Sequence, residues 1–134
     1  MKEELAKKII NTFPDMFFQE GRGPDRKGTM ISNIACRDGW FDIIWNLCEE
    51  IEAMRPTVLQ IKEKFGGLRF YASFPKDYSE QGWEVIREAE KQSSETCEEC
   101  GQPGEFRVRN GWRLTACDKC YDIYCKEHPV EDYP

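Results

Sequence analysis

Four cysteines constrain this chain more than any other feature: Cys97, Cys100, Cys117 and Cys120 form a Cys-x2-Cys pair, a sixteen-residue gap and a second Cys-x2-Cys pair. Each pair lets two sulfurs from one tight turn converge on one ion. Two such turns complete the tetrahedral four-sulfur shell that Zn2+ accepts without strain. The expected cofactor is therefore one structural Zn2+ ion. A closed four-sulfur shell leaves no position for water or substrate, so the motif argues for a staple rather than a catalytic metal.

The interval between the pairs holds Asn110-Gly111, a strong hairpin signal, flanked by 105–109 and 112–116. The module thus reads as knuckle, hairpin, knuckle. A helix starting after Cys120 would make it a treble clef, which we favour over a pure zinc ribbon. Gly101, directly after the second sulfur, lets backbone amides turn toward the thiolates. Cys125 and His128, the chain's single histidine, add a Cys-x2-His step. The first four ligands already complete the shell, which leaves this step outside it.

Upstream of the module the apolar pattern gives helices and one hairpin. Leu5, Ile9, Ile10 and Phe13 share a helical stripe over 2–13 that Pro14 ends. The segment 19–29, rich in Gly, Pro and charge, reads as an exposed loop, followed by a short extended piece near 30–35. Asp38 is expected to cap a central helix over 39–54, with Trp40, Phe41, Ile44, Leu47, Cys48, Ile51 and Met54 on its apolar face and Cys48 a buried hydrophobe.

Residues 57–74 read as a hairpin turning at Gly66-Gly67. That register pairs Phe65 with Leu68, Ile61 with Ala72 and Leu59 with Phe74. It turns Leu59, Ile61, Phe65, Leu68, Phe70, Ala72 and Phe74 inward, with Glu63 as the exception, and sets Lys64 opposite Arg69. Asp77 and Glu80 resemble a capping box for a helix reaching 93 or 94, with Trp83, Ile86 and Ala89 as its buried stripe. The fold class is α+β, with a core at 1–94 and a four-cysteine module with an acidic tail at 95–134.

The formal charge of −6 becomes about −8 once four thiolates share one zinc. This disfavours nonspecific nucleic-acid binding. The chain contains no apolar run long enough to span a membrane, and its acidic start does not resemble a signal peptide. With an odd cysteine count and metal spacing, a reducing cytoplasm is expected.

No Gly-x-Ser-x-Gly elbow or phosphate loop occurs, and one histidine cannot build a two-histidine metal site. No catalytic residue is therefore assigned, and a non-enzymatic protein is expected. Asp38, Asp42 and Glu63 are the carboxylates on which a small enzyme would have to rest. Recognition is the stronger expectation. Its candidate residues are Lys62, Lys64, Arg69 and Tyr71 on the polar face of the first hairpin, and Arg107, Arg109 and Trp112 on the second.

The stretch 60–71, Gln-Ile-Lys-Glu-Lys-Phe-Gly-Gly-Leu-Arg-Phe-Tyr, the preceding Asp38-Gly39-Trp40-Phe41, and the later Cys97-x2-Cys100-Gly101-x-Pro103-Gly104 with Gly111-Trp112 and Cys117-Asp118-x-Cys120 resemble a group of small phage and prophage zinc-binding proteins. The resemblance covers roughly residues 35–121. It implies an accessory role on a mobile element, in which a host or defence-system protein is bound and inhibited, as an anti-CRISPR protein does. It carries over no catalytic residue. The alternative is a nucleic-acid-binding or transcription-regulating zinc protein, which Arg113 and the other arginines beside Trp112 would serve.

Overall fold

The computed structural model describes residues 1–19, 21, 28–31 and 33–130. Among them the chain is α+β, with five helices and antiparallel two-stranded sheets. Helix α1 (Glu3–Thr12) stops where Pro14 opens a short α2 (Pro14–Phe17), so this proline starts a helix as well as ending one. Strands β1 (Phe18–Gln19) and β2 (Thr29–Met30) then pair. Most of the expected 19–29 loop, and part of the extended piece after it, lies outside the described residues.

Helix α3 (Phe41–Ile51) is the central core helix, as its apolar face predicts. Trp40, Ile44, Leu47, Cys48, Ile51 and Met54 are buried, whereas Phe41 packs at the margin. Its entry differs from expectation. Asp38 begins a single 3-10 turn, Asp38–Trp40, and makes no side-chain cap bond. Its Oδ1 instead accepts the N–H of Lys2 at 2.8 Å, tying the start of α1 to the start of α3.

Strands β3 (Thr57–Lys64) and β4 (Gly67–Ser73) form the expected hairpin in a different register. The turn residues are Phe65 and Gly66, with φ of 54° and 84°. Lys64 therefore pairs with Gly67, Ile61 with Phe70 and Lys62, not Lys64, with Arg69. Packing against the metal module accounts for this choice. A Cβ on Gly66 would lie 3.1 Å from the Leu114 backbone nitrogen, so the bare glycine belongs at the turn's closest approach.

A two-residue shift preserves the faces, and Ile61, Leu68, Phe70 and Ala72 do point inward. A register irregularity between Val58 and Gln60 reverses the alternation beyond it: Val58 is buried and Leu59 exposed, against expectation. Phe65, at the turn, is exposed as well. Phe74 is partly buried and meets Trp83 edge-on, with centroids 6.3 Å apart.

Helix α4 (Ser79–Ser93) covers the free edge of β4. The buried Ser93 Oγ accepts the Leu68 N–H at 3.0 Å, and Glu90 Oε2 accepts the Phe70 N–H at 3.0 Å. An edge that would otherwise template another strand is closed by side chains. Ile86 and Ala89 form the buried stripe with Gly82, but Trp83 is substantially exposed. No Asp77 capping box forms, because a 3-10 turn, Lys76–Tyr78, leads into the helix and satisfies backbone groups itself.

Beyond α4, β5 (Glu105–Arg109) and β6 (Trp112–Ala116) pair through the Asn110-Gly111 turn, and α5 (Asp118–Glu127) follows. No described helix is long and apolar enough to cross a membrane.

Candidate metal centre and interaction surface

The two knuckles converge. The sulfurs of Cys97, Cys100, Cys117 and Cys120 all lie within 4.8 Å of one another, and Cys100 Sγ is 3.7 Å from Cys117 Sγ. Zn–S bonds of about 2.3 Å in a tetrahedron require S···S separations of about 3.8 Å. The donor set and its spacing therefore fit one metal ion, with zinc the natural occupant. Gly101 has φ of 81°, the left-handed turn that the first knuckle needs. Cys117 is the N-cap of α5, and its sulfur accepts the Cys120 N–H at 3.4 Å. That bond leads the effects that lower the Cys117 thiol to about 7, whereas burial pushes Cys120 up. The second knuckle opens a helix, as a treble clef requires.

Cys125 and His128 lie outside this cluster. His128 stacks on Tyr124 with ring centroids 4.1 Å apart, and its Nδ1 lies 3.0 Å from the Tyr124 carbonyl oxygen. The other two cysteines, Cys36 and Cys48, are buried, and burial raises both thiols to about 12.

The module is anchored to the core at several points. The Gly39 N–H donates to the Glu98 carbonyl at 2.7 Å, Trp40 Nε1 to the Thr96 carbonyl at 3.0 Å, and Thr115 Oγ1 to the Gly66 carbonyl at 2.7 Å. Glu98 contributes two bonds to this junction, since its Oε2 also accepts the Arg37 N–H, while its own N–H donates to the Thr115 carbonyl within the module. Burial lifts its carboxyl above the ordinary glutamate range, although the Arg37 N–H opposes the rise.

The residues expected to face a partner divide into two groups. Arg107 is committed to the scaffold: Nε donates to the Ala116 carbonyl, Nη2 meets Asp118 Oδ1 at 2.6 Å, and the guanidinium lies 4.6 Å from the Tyr121 ring centroid. Arg109 is committed as well, donating to the carbonyls of His128 and Cys125 at the end of α5. These two arginines clamp the helix to the hairpin. Arg69 Nη1 donates to the Leu68 carbonyl, and Lys62 lies 5.9 Å from the Tyr71 ring centroid. Glu63, the expected lone charge, caps the turn through a 2.7 Å bond from the Gly66 N–H.

Lys64 and Trp112 face solvent around a cleft of ≈ 500 Å³ that Lys62, Glu63, Phe65, Gly111 and Arg113 complete. Phe65 is 60% exposed, Trp112 59%, Phe106 55% and Val108 54%. Because Arg107 and Arg109 turn toward α5, their strand neighbours Phe106 and Val108 turn outward. Sequence reasoning missed Phe65, Phe106 and Val108. The available signal was Asp118 and the C-terminal carbonyls of α5, which compete for the arginines.

Comparisons with protein-family models, curated proteins and solved structures found no match to this chain.

Proposed function

We propose that this chain is a phage or prophage zinc protein that acts without catalysis in the host cytoplasm, by binding and inhibiting a host defence effector. The observation that carries a recognition role is the set of large apolar side chains, Phe65, Phe106 and Val108, left mostly exposed on or beside one face of a metal-held hairpin, with Trp112 exposed on its other face. Scattered exposed apolar residues need no explanation, but a cluster on a rigid scaffold marks an interaction surface. The mobile-element setting rests on the resemblance carried by residues 35–121.

Two structural features favour a protein partner over nucleic acid. Arg107 and Arg109 are consumed internally, and the net charge of −6 repels a polyanion. Expressing the chain in a host that carries a defence system should raise phage plating on that host and leave plating on a defence-free host unchanged. Unchanged plating across the defence systems tested, together with steeply salt-dependent binding of the purified protein to DNA or RNA, would replace this reading with the nucleic-acid one.

A further inference from the structure

The face of the second hairpin that points away from α5 is defined by its register. The register puts Phe106 opposite Thr115 and Val108 opposite Arg113, so these four side chains share one face. Thr115 binds the Gly66 carbonyl, and the Arg113 guanidinium lies 5.2 Å from the Phe65 ring centroid. The tip of the first hairpin therefore continues that face. From the other strand Lys64 Nζ approaches the same ring at 5.4 Å. The result is an apolar strip of Phe65, Phe106 and Val108 with two cations gathered on one exposed ring. Among the described residues neither Lys64 nor Arg113 has an ion pair.

A second observation concerns Phe65 itself. Both hairpins use the same tight turn with two positive φ angles, and the second fills its first position with Asn110 at φ of 51°, a residue that tolerates this conformation. The first hairpin fills the equivalent position with Phe65 at φ of 54°, where a bulky side chain is strained. The turn that the Gly66 contact with Leu114 selects thus holds this aromatic ring in solvent at a strained backbone position.

We propose that this face docks a protein segment combining acidic residues with large apolar ones, its carboxylates meeting Lys64 and Arg113 and its apolar side chains covering Phe65, Phe106 and Val108. The proposal rests on the recognition reading above and names the partner's chemistry. Charge complementarity selects this occupant. A second copy of the chain in a two-fold dimer would bring Lys64 and Arg113 against the same cations, so self-association is disfavoured. A nucleic-acid backbone would find only Lys62, Lys64 and Arg113 here on a strongly acidic protein.

The test uses the full zinc-loaded chain and fluorescence anisotropy. The probes are a fluorescein-labelled peptide repeating Asp-Leu-Phe-Glu, the same peptide with Lys and Arg in place of its acids, and labelled oligothymidylate. The acidic peptide should bind, and Arg113→Glu with Lys64→Glu should weaken it by at least about tenfold, as should Phe106→Ser with Val108→Thr. These positions are exposed, and zinc content with circular dichroism verifies that each variant is folded. Preference for the basic peptide or for oligothymidylate, no binding of the acidic peptide, dimerisation through this face, or folded variants that bind normally would each overturn the proposal. Plating rescue that persists when the acidic peptide fails to bind would leave the defence reading standing and remove only this partner chemistry.

Discussion

Thr115→Val isolates the bond that joins the metal module to the core hairpin. Thr115 is buried, and its hydroxyl donates to the equally buried Gly66 carbonyl at 2.7 Å. Valine keeps the volume and branching and removes the donor, so no cavity complicates the result. A buried acceptor left unpaired costs about 1–3 kcal/mol. For a chain of this length 1 kcal/mol corresponds to roughly 3–4 °C in Tm, so a fall of roughly 3–12 °C is expected in thermal denaturation followed by circular dichroism. Thr115→Ser supplies the control, because it keeps the hydroxyl and loses one methyl group worth about 0.8 kcal/mol. The serine variant should be the more stable of the two. If serine is the less stable, or if valine leaves Tm unchanged, the hydroxyl bond does not hold the module to the core.

The remaining expectations concern the cysteines and Glu98. With metal bound, the buried Cys36 and Cys48 and the four ligand thiols should resist an aromatic disulfide reagent while Cys125 reacts; a chelator should release the four ligands, and denaturant the last two. Rapid modification of Cys36 or Cys48 before denaturation would contradict their burial. Glu98 binds its proton more tightly in the folded state than in the unfolded chain. Its contribution to stability is therefore full below the unfolded value of about 4.5 and declines as pH rises through its raised folded value. Glu98→Gln should remove that decline, flattening urea-denaturation stability against pH upward from about 4.5, and an unchanged slope would show that Glu98 does not produce it.

The sequence was legible wherever a local rule and the tertiary context agreed. The cysteine spacing identified the metal cluster, Asn110-Gly111 the second turn, and the apolar periodicity of α3 the core, with Cys48 inside it. It misled where a distant contact decided between local options. Gly66-Gly67 is locally the better turn, yet contact with Leu114 and the Thr115 bond select Phe65-Gly66 and shift the register. The irregularity after Val58 follows no local signal and exchanges the roles of Val58 and Leu59. Hydrophobicity alone would bury Phe106 and Val108, whereas the carbonyls at the end of α5 and the carboxylate of Asp118 hold the arginines inward.

That inversion connects the metal to recognition. Cys117 and Cys120 fix the start of α5 directly behind β6, and the helix presents Asp118 near its first turn and bare carbonyls at its last. These groups draw Arg107 and Arg109 to one face of β5, and strand alternation then forces Phe106 and Val108 to the other. Losing the metal would release α5 and both arginines, removing the force that orients the strand. The four-sulfur centre thus does more than join two knuckles: by fixing α5 it sets which face of the second hairpin carries Arg107 and Arg109 and which carries Phe106 and Val108. The scaffold takes Arg107 and Arg109, and Lys64 and Arg113 stay around Phe65. An acidic chain thereby keeps a small, fixed, cation-rimmed apolar surface.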